Sequence, residues 1–295
     1  MMVSNRIKVG DIFIVFFAFI TEIAAYVNFA DLGLHPVAFS IGPILIRWYA
    51  LAYLVGLFFA LWYMLRMIAL PGAPWAKRHA EDFLLWAMLG VILGGRLGYV
   101  LFYRPAFYVE NPGDIIKMWD GGMSFHGGLL GVVFAMWLYA RKEKLSFVRL
   151  CDYVACTVPV GFFLGRLANF INGELWGRAT DVSWAIIFPA SGTMDPRHPS
   201  QLYEAAWEGV LMFAILWFLF WKTDARHRPG LLAGVALLTY GTGRFLIELV
   251  REPDAGLEQL VLGMTRGQLL TAPMIIIGLF LLIRARKAPQ VIPAS

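Results

Sequence analysis

The sequence predicts an all-α integral membrane protein of seven transmembrane helices, with a small periplasmic insertion between the fourth and fifth. Three observations carry this prediction. Of 295 residues, 59% are hydrophobic and only 15% charged, against about 25% charged in ordinary soluble domains. Those proportions also exclude a disordered chain, which needs low hydrophobicity and high charge. Apolar stretches recur at lengths that match roughly 30 Å of hydrocarbon. Lysine and arginine concentrate in alternate connections, as they do in multi-span proteins.

Taken in order, residues 1–34 are an N-terminal extension. Within it, 12–29 (IFIVFFAFITEIAAYVNF) is an extra candidate span, weakened by Glu22. The spans proper are expected near 44–65, 82–103, 127–140 (extended backward from Gly122 to His126), 147–170, 201–221, 230–250 and 268–283. Helices 1 to 4 thus occupy 35–170 and helices 5 to 7 occupy 201–285, with a tail at 286–295. The polar, Gly- and Pro-bearing stretch 171–200 is unusually long for a connection here, and long loops are often functional.

Orientation follows from the loop charges. Arg66, Lys77, Arg78, Arg141, Lys142, Lys144, Arg149, Lys222, Arg226, Arg228, Arg284, Arg286 and Lys287 fall on one side; Arg104, Lys117, Arg178, Arg197, Arg251 and Arg266 fall on the other. The face with thirteen is cytoplasmic by the positive-inside rule, which puts the C-terminus in the cytoplasm and the insertion outside. Basic runs never exceed two residues, so no nucleic-acid partner is expected. Cys151 and Cys156 are five residues apart and point to opposite helix faces, which leaves them as core fillers. Gly90, Gly94 and Gly98 in helix 2, and Gly161 and Gly165 in helix 4, are small-residue faces that permit close helix contact.

Polar residues inside the spans need a reason, because a mid-membrane arginine costs about 2.5–3.5 kcal/mol on insertion scales. Arg47 is near a helix end and snorkels. Arg96 lies beside the helix 2 glycine face, where an ion pair, a gate and a phosphate contact are all open. Arg244 lies about 21 Å from the cytoplasmic end of helix 6, at 1.5 Å per residue. Tyr240, Arg244 and Glu248 stand at i, i+4 and i+8 on one face. Arg166 and Asn169 are neighbours near the outer end of helix 4, followed by Glu174, Gly177 and Arg178. His126 sits among Gly121, Gly122, Gly127 and Gly128, Glu204 opens helix 5 and Tyr49 opens helix 1. Orientation and spacing therefore predict a polar pocket near the outer membrane face, assembled from five helices.

Two arginines in a low-dielectric pocket favour a phosphate, and in a membrane the phosphate carrier is a phospholipid. There is no G-x-S-x-G elbow, no H-E-x-x-H and no metal-ligand cluster, so no metal or cofactor is expected. From the residues alone, the function is metal-free binding or transfer at a phospholipid head group.

The segments WDGGMSFHGG (119–128), GRLANFINGELWGR (165–178), HPSQLYEA (198–205) and YGTGRFLIELVREPD (240–254) closely resemble the bacterial prolipoprotein diacylglyceryl transferase family. The resemblance covers roughly 35–285; Ala50 and Ala168 stand where the family commonly has glycine. It implies an inner-membrane enzyme of seven spans that moves the diacylglyceryl group of phosphatidylglycerol to the lipobox cysteine thiol of a prolipoprotein, releasing glycerol phosphate. Phosphatidylglycerol, the prolipoprotein signal peptide and membrane lipid would be its partners, and a monomer is expected. A thiol of pKa about 8.5 is only partly ionised near pH 7, so a base helps. His126 is the candidate base, while Arg166 and Arg244 would hold the phosphate and stabilise the leaving group. Glu248 would orient Arg244, and Asn169, Tyr49 and Tyr240 would bond the head group. Glu174 and Glu204 are either orienting groups or a rival base. A lipid or organic-anion transporter, and a scaffold of buried ion pairs, are the competing readings.

Overall fold

The computed structural model describes residues 26–253 and 263–287. Among them are helices α1 (Trp48–Ile68), α2 (Lys77–Phe102), the short α3 (Pro105–Glu110), α4 (Phe125–Lys142), α5 (Phe147–Ile171), α6 (Ser200–Lys222), α7 (Leu231–Ile247) and α8 (Arg266–Lys287). Five of the described helices are long and apolar enough to cross a bilayer: α1, α2, α5, α6, and Gly267–Lys287 of α8. The apolar α7 has 17 residues and α4 has 18. The protein is therefore a mostly helical membrane protein.

Short strands accompany the helices, all at the end of the bundle where residues 171–200 lie. β1 (Val27–Asn28) runs parallel to β4 (Ile186–Ile187), which pairs antiparallel with β5 (Pro196–Arg197). β2 (Val37–Ile41) and β3 (Ile44–Arg47) form a hairpin closed by Gly42 at φ +58° and Pro43. Its existence corrects the expected start of the first span at residue 44. The β-branched alternation of Ile44 and Ile46 pairs across a Gly-Pro turn, and helix begins only at Trp48. Of the extra candidate span 12–29, all but the last four residues lie outside the described residues. Those four are Tyr26, β1 and Phe29, the first residue of a short 3-10 turn (Phe29–Leu32), and none belongs to a spanning helix.

Helix ends are fixed by specific caps. The Ser124 hydroxyl accepts from Gly127 N at 3.1 Å and starts α4. Asp152, buried on α5, accepts from Gly230 N and Ala233 N at 2.7 and 2.8 Å and so caps α7 from a neighbouring helix. α6 is not uniform: Ser200–Glu204 is α-helical, Ala205–Leu211 is π-helical and Met212–Lys222 returns to α.

The two expected glycine faces behave differently. On α2, a Cβ at Gly90 would lie 2.7 Å from Gly131 O, and one at Gly98 would lie 2.7 Å from Gly127 Cα. Backbone therefore touches backbone between α2 and α4. On α5, a Cβ at Gly161 or Gly165 would meet nothing within 4 Å, although Gly161 does lie opposite Gly56 of α1. The second face is thus no tight seam. The apolar core gathers at the opposite end of the bundle, around Tyr63, Met67, Tyr139, Leu150, Tyr153, Leu216 and Phe220. Large apolar side chains elsewhere on the helices, such as Phe58, Leu85, Leu101 and Ile276, point outward, as lipid contact requires. Cys151 and Cys156 are free, Cys156 buried in this core.

Candidate active site

Three helix ends converge beside the insertion, because α5 finishes there, α6 starts there and α7 finishes there. Arg166 comes from α5, Glu204 and Glu208 from α6, Arg244 from α7, and Glu248 and Arg251 from the turn after α7. Arg166 Nη1 lies 3.1 Å from Glu204 Oε2, and its Nε and Nη2 donate to Glu208 Oε2 at 3.3 and 3.2 Å. Arg244 pairs with the other oxygen of Glu204 through Nη1, and with Glu248 Oε2 at 2.7 Å through Nη2. Arg251 Nε lies 3.9 Å from Glu204 Oε1. Glu204 is thereby the centre of the cluster, facing three arginines.

Burial is asymmetric across these pairs. The Glu204 and Glu208 side chains are 0% exposed, whereas those of Arg166 and Arg244 keep 19% and 12%. Carboxylates stand behind the guanidiniums and the guanidiniums keep an accessible edge. Buried carboxylates are tolerated when cations and hydrogen bonds satisfy them, and here six charges of opposite sign share one site.

Other expected site residues form a second layer. Asn169 Nδ2 and Asn172 Nδ2 donate to Glu174 Oε1 at 2.8 and 3.0 Å, which fixes the Glu174 carboxylate just past the end of α5. Gln201 Nε2 donates to Glu174 O at 2.6 Å and Ser200 Oγ to Leu175 O at 2.9 Å. Between them Leu175 sits at φ +59°, a conformation worth roughly 1–2 kcal/mol of strain for a side-chain-bearing residue. Tyr240 stacks its ring 5.1 Å from Phe162 and lies in the electrostatic field of Glu208, Arg166, Arg244 and Glu204. Tyr49 lies ring to ring with Tyr53 at 5.1 Å at the start of α1.

Gly177 has a structural reason. Its N donates to His198 O at 2.8 Å, and a Cβ there would lie 2.6 Å from Val250 O and from His198 Cβ. With Arg178 N donating to Val250 O at 2.8 Å, this contact ties the insertion to the end of α7. His198 in turn sits against Tyr203, whose hydroxyl lies 3.2 Å from Nδ1, and burial lowers the imidazole pKa below its ordinary 6.5.

His126 and Arg96 belong to the neighbouring α2–α4 pair. His126 is exposed at the start of α4, next to the Gly127 contact with α2. The buried Arg96 donates to five carbonyls of the preceding connection: Asp114, Ile115, Lys117, Gly121 and Gly122, at 2.5 to 3.1 Å. Among the readings open for Arg96, the structural one holds, though its partners are carbonyls and not a carboxylate. Arg47 is exposed at the N-terminus of α1.

Sequence reasoning passed over Glu208 and treated Arg251 only as a loop charge. Glu204 and Glu208 stand at i and i+4 in an apolar segment, the same spacing that singled out Arg244 and Glu248. That signal was sufficient to find Glu208. Among the described residues no three His, Cys, Asp or Glu side chains are arranged to hold a metal.

Comparison with known proteins covers the same stretch of chain. The family model for prolipoprotein diacylglyceryl transferase matches residues 36–284. The chain belongs to the prolipoprotein diacylglyceryl transferase family. The phosphatidylglycerol–prolipoprotein diacylglyceryl transferase of Zymomonas mobilis subsp. mobilis is 50% identical over 281 residues, covering 92% of this chain and 98% of that protein. Its counterpart in Rhodospirillum centenum is 52% identical over 268 residues, covering 89% of this chain and 96% of that one. The family match spans every described helix and reaches from the β2–β3 hairpin to the last turn of α8. The converged arginine–carboxylate cluster lies within the matched residues.

Proposed function

We propose that this chain transfers the diacylglyceryl group from phosphatidylglycerol to the lipobox cysteine thiol of prolipoproteins, the first step of bacterial lipoprotein maturation. The observation that carries this reading to the site is the pair Arg166 and Arg244, each backed by a buried carboxylate and each with an accessible edge. A guanidinium so held is preorganised for a phosphodiester and spends little reorganisation when charge develops.

In the reaction the cysteine sulfur attacks the glycerol carbon esterified to phosphate. The C–S bond forms, the C–O bond breaks, and the electron pair leaves on the phosphate of glycerol phosphate. The thiol proton goes to a base, the role we assign to His126 from its exposed place at the mouth of α4. Arg166 and Arg244 bind the phosphate and stabilise the departing oxygen. Glu248 orients Arg244 at 2.7 Å. Asn169, Glu174, Tyr49 and Tyr240 line the head-group side, and Glu204 holds the two arginines together in place of acting as the base. Gly177 keeps the insertion docked on α7.

We further propose that α4 and α7 also cross the membrane, giving seven spans in the bacterial inner membrane. At 1.5 Å per residue each is about 25 Å long, and flanking residues extend both. The site then faces the outer leaflet and the C-terminus the cytoplasm, in accord with the loop charges. The protein is proposed to act as a monomer without a cofactor.

Incubation of purified protein with phosphatidylglycerol and a lipobox peptide, followed by mass spectrometry, tests the reaction. The expected product is a diacylglyceryl thioether on the cysteine, absent with a Cys→Ser peptide and with Arg166→Ala enzyme. Movement of lipid across a vesicle membrane without any adduct would favour the transporter reading instead.

A further inference from the structure

One fully buried carboxylate has no step in that reaction. Glu208 lies in the π-helical stretch Ala205–Leu211 of α6, and π-turns inside α-helices recur at functional sites. Its Oε2 accepts from both Nε and Nη2 of Arg166. Two bonds to one planar group remove its rotation about the side-chain axis. The third nitrogen, Nη1, is close to Glu204 Oε2, yet that oxygen receives no hydrogen bond among the described residues. Two buried carboxylates thus hold the guanidinium from one side, and the Arg166 side chain keeps 19% of its surface accessible.

We propose that Glu208 is a positioning residue, which fixes the guanidinium plane of Arg166 so that its accessible edge is presented to the substrate phosphate. This inference rests on the transferase reading of the site. A plain structural fastener is a poor account of Glu208, because the π stretch has other anchors on both neighbouring helices. Trp207 fills the space over Gly243 and donates Nε1 to Thr239 O on α7 at 2.9 Å. Gly209 rests on Phe163 of α5, where a Cβ would lie 2.6 Å from Phe163 Cβ. Those contacts set the place of the segment, and Glu208 is left to act on Arg166.

Charge and orientation make opposite predictions for Glu208→Gln, which keeps size and an acceptor oxygen. The cluster of Arg166, Arg244 and Arg251 with Glu204, Glu208 and Glu248 gains one positive charge, so charge alone favours the anionic lipid. Loss of orientation instead slows the chemical step. The experiment measures kcat and KM for phosphatidylglycerol, per mole of folded enzyme, in wild type, Glu208→Gln, Arg166→Lys and the double variant. The expected result for Glu208→Gln is a kcat about 10- to 100-fold lower, with KM unchanged or lower and a melting temperature near wild type. In the Arg166→Lys background the same change is expected to add less than about twofold, since one guanidinium carries the effect.

A Glu208→Gln kcat within about twofold of wild type overturns the proposal while leaving the transferase reading intact. So does an equal loss in both backgrounds. If wild type itself makes no thioether, both fall together. Should Glu208→Gln not accumulate as folded protein, Glu208→Asp carries the same expectation. It keeps the charge but draws the oxygen back by one methylene, and full activity in that variant is equally decisive against the proposal.

Discussion

At the residue scale, the site is a set of arginines held from behind. Arg166 uses Nε and Nη2 on Glu208 and faces Glu204 with Nη1, a geometry that a point-charge ammonium cannot reproduce. Arg166→Lys is therefore expected to lower kcat/KM for phosphatidylglycerol by about 100-fold or more, measured by thioether formation. Activity near wild type would return the cluster to a structural role. For the base, His126→Gln is expected to cost about 100-fold or more in kcat and to leave phosphatidylglycerol binding, read by isothermal titration, within about threefold. Most of this layer was legible in the sequence. Helix direction and spacing predict Tyr49, His126, Arg166, Asn169, Glu204, Tyr240, Arg244 and Glu248 at one depth. The structure joins Arg166, Glu204, Arg244 and Glu248 in one cluster, ties Asn169 to Glu174, and puts His126 on the neighbouring α2–α4 pair. What spacing does not carry is pairing. Glu204 takes the central place among three arginines only because α5, α6 and α7 end side by side.

At the element scale, two features were beyond sequence patterning. Strands of two residues, such as β1 and β4, leave no period to read, and the π stretch of α6 depends on Trp207 and Gly209 meeting other helices. The α2 glycines, in contrast, were readable from their spacing of four. Gly98→Leu is expected to disrupt the α2–α4 contact, because its side chain would enter the Gly127 backbone, and to lower the melting temperature in detergent by several degrees or prevent folding. Gly165→Ala, with nothing within 4 Å of the added carbon, is expected to melt as wild type does. The insertion should respond to acid. Burial holds the folded His198 pKa below 6.5, so the unfolded segment binds the proton more readily. Its contribution to stability is full above pH 6.5 and is lost as pH falls toward the lowered value. Protection against hydrogen exchange over 171–200, taken relative to the intrinsic rate at each pH, is expected to be lower at pH 5.5 than at pH 7.5, with the difference abolished in His198→Gln.

At the scale of the whole molecule, polar and apolar cores occupy opposite ends of the bundle. The aromatic cluster around Tyr63, Tyr139, Tyr153 and Phe220 and the cap that Asp152 places on α7 secure one end, and the arginine–carboxylate cluster fills the other. The proposed topology puts the aromatic end in the cytoplasm. In a chain with Cys151 and Cys156 replaced by serine, a cysteine at Thr180 is expected to react with a membrane-impermeant maleimide in intact spheroplasts. One at Lys144 should react only after lysis; the reverse pattern would invert the protein. The six charges of the site also bear on turnover. They sum to zero, so the empty pocket carries no long-range pull of its own. Phosphatidylglycerol brings one negative charge, while a phosphomonoester carries about 1.5 to 2 near neutral pH. An arginine trio without its carboxylates would grip that spent product harder than the incoming lipid. Balanced by Glu204, Glu208 and Glu248, the same arginines carry less of that bias, which favours release of the product before the next lipid binds.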